Sequence, residues 1–178
     1  MAEMFIPLYT AKHNLSAEIN KNQRIYKLSE VNPAIPKANI RPAQESDMSY
    51  LPYWCEGFNS DCYDAPLVVG DDAEVYRYHI RSNRLYIMED AGTPVTMAKI
   101  NRDLQTVCVI GFVYTPPYFR RKGYATACVA AVSQAGLDRG FSKCVLYTDL
   151  ANPTSNSIYQ KIGYRSICDS LAVRFVAR

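Results

Sequence analysis

The sequence is poor in the residues from which metal centres and disulfide frameworks are built. Only two histidines are present, His13 and His79, and none of the six cysteines forms a Cys-x-x-Cys pair. No spacing of these residues supports a zinc site. The cysteines stand at irregular intervals in a chain long enough to fold without cross-links, which favours free cytosolic thiols. We therefore expect neither a metal nor disulfides.

An excess of charge of either sign is also absent. The 20 lysines and arginines barely outnumber the 17 acidic residues, so the net charge at pH 7 is only +3. Nonspecific nucleic-acid binding requires a much more basic surface. An RNA-binding module is therefore disfavoured, and any contact with phosphate must be local.

Long hydrophobic runs are missing as well, since no segment approaches the roughly 20 apolar residues of a membrane span. The N-terminal stretch MAEMFIPLYT carries Glu3 where an export signal has basic residues, and Pro7 interrupts it. We expect a cytoplasmic protein without membrane contact. With 178 residues, of which 48% are hydrophobic, the chain can bury one substantial core.

The first part of the chain differs from the rest in its pattern. Residues 1–37 have weak periodicity, with one possible strand over Gln23–Val31, and they end in closely spaced prolines. We interpret them as an N-terminal arm that precedes a single domain over residues 38–178. At the start of that domain, Ser46 caps a pattern that predicts two short helices, or one helix kinked at Pro52.

Apolar runs further along the chain predict a sheet. Two of them flank the turn residues 91–93 and indicate a β-hairpin, and the nearly continuous run Thr106–Thr115 indicates a central strand. A helix from about Lys122 to Arg139, the strand KCVLYTD, a helix that begins near Asn152 and the strand SLAVRFVAR follow. This order predicts a mixed α/β fold.

The junction TPPYFRRKGYATA, residues 115–127, has a composition suited to anion binding. The first turn of a helix presents backbone N–H groups without internal partners, and the helix dipole favours negative charge there. The small or basic residues at this helix start are Arg120, Arg121, Lys122, Gly123, Ala125 and Thr126. Neither G-x-x-x-x-G-K-[ST] nor G-x-G-x-x-G is present. From the pattern alone, a solvated basic loop with a glycine for tight packing is the alternative.

At this junction the sequence resembles the GNAT superfamily of acyl-CoA N-acyltransferases, over roughly residues 38–178. The family's (Arg/Gln)-x-x-Gly-x-(Gly/Ala) motif after a proline-containing loop is matched by YTPPYFRRKGYATA. A second pattern, N-x-x-(A/S)-x-x-L-Y-x-K-x-G-F, is matched in order by ANPTSNSIYQKIGYR. This sequence has Ile158 where the pattern has leucine and Tyr164 where it has phenylalanine. The resemblance implies a mixed, mostly antiparallel central sheet flanked by helices, with a splay between two parallel central strands.

The resemblance also implies a cosubstrate, acetyl-CoA. Backbone N–H groups of residues 121–126 would hold its pyrophosphate, and its pantetheine arm would pair with the end of the central strand. The implied contacts are Val113, Tyr114, Thr115, Arg120, Arg121, Lys122, Gly123, Tyr124, Ala125, Thr126, Asn152, Ser155 and Asn156. For Asn152, a role as helix N-cap is equally compatible, and a solvent-facing position is the alternative for Asn156.

In a protein that resembles this family, an amine attacks the thioester directly. A backbone N–H near Val113 or Tyr114 would stabilise the oxyanion, and Tyr159 would protonate the departing thiolate. A tyrosine that only packs against the sheet is the alternative for Tyr159. Because the central strand carries no acid, the proton acceptor is open. The candidates are Asp149, Tyr147 and Glu56, with a water relay as the alternative.

We therefore interpret the chain as an enzyme that moves an acetyl group from acetyl-CoA to a primary amine. The alternative is a CoA-binding sensor or scaffold of the same fold without turnover, which the missing strand acid favours. The acceptor is undefined, although Glu56, Asp61 and Asp64, within the aromatic stretch Ser49–Ala65, hint at a cationic ligand. A homodimer is compatible with the sequence, and the oligomeric state stays open.

Overall fold

A single mixed sheet organises the protein, in a computed structural model that describes residues 2–63, 66, 68–70 and 73–178. Within these residues the sheet has seven strands in the order β2-β3-β4-β5-β6-β1-β7. All neighbouring strands are antiparallel except β5 and β6. The strands are β1 (Leu15–Leu28), β2 (Ile40–Pro42), β3 (Leu85–Asp90), β4 (Thr93–Leu104), β5 (Val107–Tyr114), β6 (Lys143–Asp149) and β7 (Arg165–Ala177).

Helices cover both faces of the sheet and divide the core in two. The helices are α1 (Ala2–His13), α2 (Leu51–Tyr63), α3 (Ala73–Arg81), α4 (Tyr124–Asp138) and α5 (Pro153–Ile162), with short 3-10 helices over Glu45–Ser49 and Pro117–Phe119. On one side, Val129 of α4 and Ile162 of α5 pack against Ile110 of β5. On the other, Trp54 of α2 packs with Met97 of β4. We call these the α4/α5 face and the α2/α3 face.

The predicted hairpin and the predicted central strand are both present. β3 and β4 are joined at Ala91 and Gly92, whose φ angles of +48° and +78° suit the tight turn that matches the twist of paired strands. β5, the nearly continuous apolar run, is the fourth strand of the seven. A strand buried on both faces has no need of polar alternation, which is why this run could be placed from sequence.

Two short helical segments stand where the sequence predicted two helices or a kinked one. The first is the 3-10 helix, and Pro52 is the second residue of α2, where its missing N–H costs nothing. The predicted cap at Ser46 is wrong, because Gln44 occupies the N-cap position and its backbone N–H donates to Asp47 Oδ2 at 2.8 Å. α3 was not predicted at all.

The strand expected within the N-terminal arm is longer than predicted and lies inside the sheet. β1 pairs with β6 over Gln23–Leu28 and with β7 along most of its length. Its side chains Tyr26 and Leu28 are 1% exposed and belong to the core. The N-terminal segment therefore supplies part of the sheet, and the domain boundary at residue 38 stays a prediction.

The two parallel strands separate soon after they meet, which confirms the predicted splay. β5 pairs with β6 only over Val107–Val109. Beyond that point β5 still pairs with β4, as far as Tyr114, but among the described residues no strand covers its other edge. Phe112, with φ of +53°, forms a bulge in this open stretch, a distortion common beside active sites. A wedge therefore opens between β5 and β6.

Candidate active site

The loop from β5 to α4 presents a row of backbone N–H groups at the mouth of this wedge. The first bond that enters α4 runs from Ala127 N to Gly123 O at 3.1 Å, so the preceding helical N–H groups have no internal partner. In the described part of the chain, nothing accepts a hydrogen bond from the backbone N–H groups of residues 121–126. Together with the helix dipole, this row is suited to an anion.

The conformation of this loop explains its glycine. Gly123 has φ of +82° at the N-cap of α4, a left-handed conformation that other residues adopt at a cost of roughly 1–2 kcal/mol. A Cβ added there would meet no atom within 4 Å. The glycine is therefore required by the backbone rather than by crowding within the protein, and the space before the loop is open.

A cleft of about 360 Å³ borders the same loop. One side is the segment before β2 and the other is the start of α4. The cleft is lined by Ile35, Pro36, Lys37, Met88, Lys122, Gly123, Tyr124, Thr126 and Ala127. It thus offers apolar surface and two lysines beside the row of N–H groups, a combination that suits a phosphorylated ligand with an organic body.

Arg120, the first residue of the predicted phosphate motif, points elsewhere. Its Nε donates to Thr115 O at 2.8 Å, and its guanidinium pairs with Asp61 of α2 at 2.6 Å. The guanidinium also lies 5.8 Å from the centre of the Tyr114 ring. That ring occupies the space left by Gly57, where a Cβ would stand 2.3 Å from Tyr114 Oη. Arg120 therefore ties the end of β5 to α2.

The second motif is largely occupied in holding the start of α5. Asn152 is its N-cap and accepts from Ser155 N at 3.0 Å. Asn156 donates to Asp149 O at 2.9 Å and to Asn152 O at 2.7 Å, and it accepts from Tyr26 Oη at 3.0 Å. These bonds agree with the N-cap alternative for Asn152, whereas the bonds of Asn156 do not fit a simple solvent-facing position. Contact of either residue with the cofactor stays a prediction.

Tyr159 lies on the α4/α5 face and is nearly buried. Its ring is 6.3 Å from that of Tyr26 and 6.0 Å from that of Tyr164. Burial raises the pKa of Tyr159 to about 12, with a smaller contribution from Cys62. The phenol therefore holds its proton at neutral pH, as a proton donor must.

Asp149 ends β6 and meets the C-terminal end of α2. It pairs with Lys21 at 3.6 Å, and Lys21 also donates to the Cys62 carbonyl. The pKa of the Cys62 thiol is raised chiefly by burial and also by Asp61 and Asp149, against the opposing charge of Lys21. Tyr147, two residues before Asp149 on the same strand, is 42% exposed.

Of the acids that hinted at a cationic acceptor, the two that the structure describes have partners within the protein. Glu56 accepts from Tyr76 Oη and from Asn59 Nδ2, both at 3.1 Å. Asp61 forms the ion pair described above, and Asp64 lies outside the described residues. Of the two acids that the structure describes, only Asp61 is paired with a cation, so the hint at a cationic ligand now depends on Glu56.

One feature of the α2/α3 face was missed from sequence. His79 Nδ1 of α3 and Lys99 Nζ of β4 are 2.8 Å apart, and the His79 ring stacks on Phe112 with ring centres 4.8 Å apart. The residues are 20 and 33 positions apart in the chain, so no local pattern could connect them. The only signal was a lysine within an apolar strand.

The sequence matches the acetyltransferase (GNAT) family over residues 49–164, a stretch that contains the N–H row and the second motif. The chain belongs to the GNAT acetyltransferase family. Among curated proteins, none matches the chain significantly. The helices in the described ranges are all too short or too polar to cross a membrane.

Solved structures share the fold at low sequence identity. A GNAT-family acetyltransferase from Colwellia psychrerythraea has a TM-score of 0.65 and a Drosophila protein 0.70, each at 15% identity. They match 96% and 98% of this chain, but the chain spans only 62% and 57% of their lengths. A predicted acetyltransferase from Clostridium acetobutylicum, crystallised with acetyl-CoA, is 23% identical and has a TM-score of 0.54. The match covers 72% of this chain and 90% of the Clostridium chain.

Proposed function

We propose that this protein transfers an acetyl group from acetyl-CoA to a primary amine. The row of unbonded N–H groups over residues 121–126, next to an open strand edge, carries the proposal. A diphosphate has the charge and the acceptor oxygens that such a row requires. The crystallisation of a similarly folded protein with acetyl-CoA supports this choice of ligand.

The wedge suits the remainder of the cosubstrate. The edge of β5 that faces β6 is unpaired beyond Val109, so an extended pantetheine arm can add to it by hydrogen bonding with residues 113–115. The thioester would then lie near the Phe112 bulge, where the N–H of Val113 or Tyr114 can stabilise an oxyanion. The amine attacks from the α2/α3 face in this arrangement.

Proton transfer completes the proposed reaction. The C–S bond breaks as the tetrahedral intermediate collapses, and Tyr159 donates its proton to the thiolate of CoA. Asp149, Tyr147 and Glu56 stay as candidates for deprotonating or orienting the amine. Direct attack is favoured over a covalent acyl-enzyme, because Cys128 is fully buried and burial raises its pKa to about 12, which makes it a poor nucleophile.

The substitution Tyr159→Phe tests the catalytic part of the proposal. It removes one hydroxyl and keeps the ring between Tyr26 and Tyr164, so the fold is expected to persist. We expect kcat to fall about 100-fold, with affinity for CoA nearly unchanged. Thiol release from acetyl-CoA measures turnover, and calorimetry measures binding. Unchanged turnover would remove Tyr159 from the mechanism.

A second candidate is a CoA-binding sensor or scaffold without turnover. The ion pairs of Asp61 and Asp149 and the two hydrogen bonds that Glu56 accepts favour it, because these acids are already engaged. A thiol-release assay over a broad panel of amines separates the two. CoA binding with no release above background supports the sensor, whereas release with one class of amine supports the enzyme.

A further inference from the structure

A lysine without a carboxylate partner is buried beside the proposed thioester site. Lys99 is 6% exposed. It lies two residues after Met97 in β4, and alternate residues of a strand share a face, so its side chain also projects to the α2/α3 face. None of the described carboxylates forms an ion pair with it. Its polar partner is Nδ1 of His79, at 2.8 Å.

The imidazole of this pair is placed against the strand that would receive the thioester. The His79 and Phe112 rings are 4.8 Å apart with an angle of 21° between their planes. Phe112 is the bulge residue of the unpaired stretch of β5. The second ring nitrogen, Nε2, has no partner among the described residues. One nitrogen therefore meets a buried amine, and the other is available to a ligand.

We propose that His79 and Lys99 together accept the proton that the amine substrate loses. The inference rests on the proposed function and supplies the base that the central strand lacks. His79 is the catalytic residue, because Nε2 would contact the amine. Lys99 acts through His79 and receives the proton that the imidazole passes on.

The transfer balances within the pair. While Lys99 is neutral, the Nδ1–H of His79 donates to the Nζ lone pair, which leaves the Nε2 lone pair exposed. The N–H bond of the substrate breaks and its proton bonds to Nε2. The Nδ1–H bond then breaks and that proton forms the Lys99 ammonium, so the imidazole is neutral again. The ammonium later returns the proton to water, and no other reactant is required.

Neither residue would serve as well alone. Burial, and then the charge of Lys99, lower the pKa of His79 to about 4. Because burial is the larger cause and would persist without Lys99, an isolated imidazole here would still be a weaker base than usual. Burial, and then the charge of Arg84, lower the pKa of Lys99 below its ordinary value. A base is most effective when its pKa lies near the working pH. In the pair, the Lys99 side chain is the stronger base, and the imidazole of His79 carries the proton to it.

The surroundings of the pair contain few other groups that could take the proton. The neighbouring titratable groups are Cys55 of α2, Tyr78 of α3 and Arg84 before β3. Glu56 is linked to this set through Cys55, whose pKa is raised to about 12 by burial and then by Glu56. The Tyr78 ring lies 5.2 Å from Lys99 Nζ.

A switch of imidazole tautomer is the first test, and it does not require turnover. While Lys99 is charged it donates to Nδ1, so His79 carries its proton on Nε2. Once Lys99 is neutral, the proton moves to Nδ1. We expect 15N–1H spectra of His79, recorded over a pH titration, to show this change as Lys99 loses its proton, and to lack it in Lys99→Met. With only two histidines in the chain, His13→Gln completes the assignment. A single tautomer throughout would overturn the proposal.

Kinetics supply the second test. We expect His79→Gln to lower kcat/KM about 100-fold, with CoA affinity unchanged. In Lys99→Met, the acidic limb of the kcat/KM profile is expected to move to lower pH, because the imidazole alone is the weaker base. That variant should fold, since Met matches the volume of Lys and removes a buried charge. His13→Gln is the matched control and should behave as the native protein.

The outcomes separate this inference from the proposed function. If the native protein releases no thiol with any amine, the transferase proposal fails and the relay fails with it. If the native protein turns over and both variants keep its rate and pH profile, only the relay is overturned. Loss of rate in His79→Gln together with the shifted limb in Lys99→Met supports it.

Discussion

On the α4/α5 side of the wedge the predicted phosphate site is made of backbone, with Tyr159 as the proposed catalytic side chain, whereas the α2/α3 side is made of side chains from separate segments. The N–H row needs only one loop and the start of one helix. The His79–Lys99 pair and the Arg120–Asp61 ion pair each join elements that are far apart in the chain. A site built from backbone tolerates change in most side chains, while one built from side chains can be altered by single substitutions. We therefore expect the α4/α5 side to hold the cosubstrate and the α2/α3 side to determine which amine is accepted.

The largest effect is expected where side chains anchor the α2/α3 side to the edge of the sheet. Asp47 is 2% exposed. Its carboxylate accepts two hydrogen bonds from Arg41, each of 2.8 Å, and one from Tyr50 Oη at 2.6 Å. Asp47→Ala leaves the Arg41 charge with less compensation, so we expect a loss of about 3 kcal/mol in the free energy of unfolding. Urea denaturation measures it, with the exposed neighbour Ser46→Ala as control. Equal stability of the two variants would contradict this account.

The same anchor should weaken in acid. Burial raises the pKa of Asp47, but hydrogen bonds from Arg41, Tyr50 and the Gln44 N–H outweigh it and hold the pKa below 3.8. Because the folded pKa lies below the unfolded one, the stabilisation is present above the unfolded pKa and is lost as the pH falls through the folded pKa. The difference in stability between the native protein and Asp47→Ala should therefore shrink below about pH 4.

The next effect belongs to the backbone side. Gly123 and Gly140 have φ of +82° and +94° at opposite ends of α4, and both have open space where a Cβ would stand. Each change to Ala should cost about 1–2 kcal/mol of stability. Only Gly123→Ala should also weaken CoA binding, by about tenfold, which is about 1.4 kcal/mol. Calorimetry of both variants measures this, and equal affinities would separate the glycine from the ligand.

A smaller effect concerns His79. Its pKa of about 4 in the folded protein lies below the ordinary 6.5, so the unfolded chain takes up the proton first on acidification. Its contribution to stability is therefore present above pH 6.5 and is lost between about pH 6.5 and pH 4. His79→Gln should show a flatter stability profile in this window than the native protein. Parallel profiles would mean that the imidazole is not held neutral.

The smallest effect is expected at the ion pair that crosses between the two sides. Asp61 and Arg120 are each about half exposed, and pairs of this kind contribute about 0.2–1 kcal/mol. Asp61→Asn should barely change stability. By releasing Arg120 towards the N–H row it should change the KM for acetyl-CoA by about threefold or less. A loss of activity much larger than this would give Asp61 a direct role with the acceptor.

The contrast between the two sides also explains how much could be predicted from sequence. The N–H row, the central strand and the N-cap Asn152 depend on residues adjacent in the chain, so their patterns are visible in the sequence. The place of β1 depends on pairing with β7, whose residues lie about 130 positions or more away, and its alternating polar side chains resemble those of an exposed arm. α3 is short and buries only Tyr76, too little for a clear periodicity. The direction of Arg120 and the meeting of His79 with Lys99 depend on tertiary contacts alone.

Amide NMR of the loop tests the central claim most directly. In 15N–1H spectra, addition of CoA should shift the amide protons of residues 121–126 downfield, because each gains a charged acceptor. Pantetheine, which lacks the diphosphate, should leave them in place. If CoA binds while these six amides do not move, the diphosphate is held elsewhere and the account is contradicted.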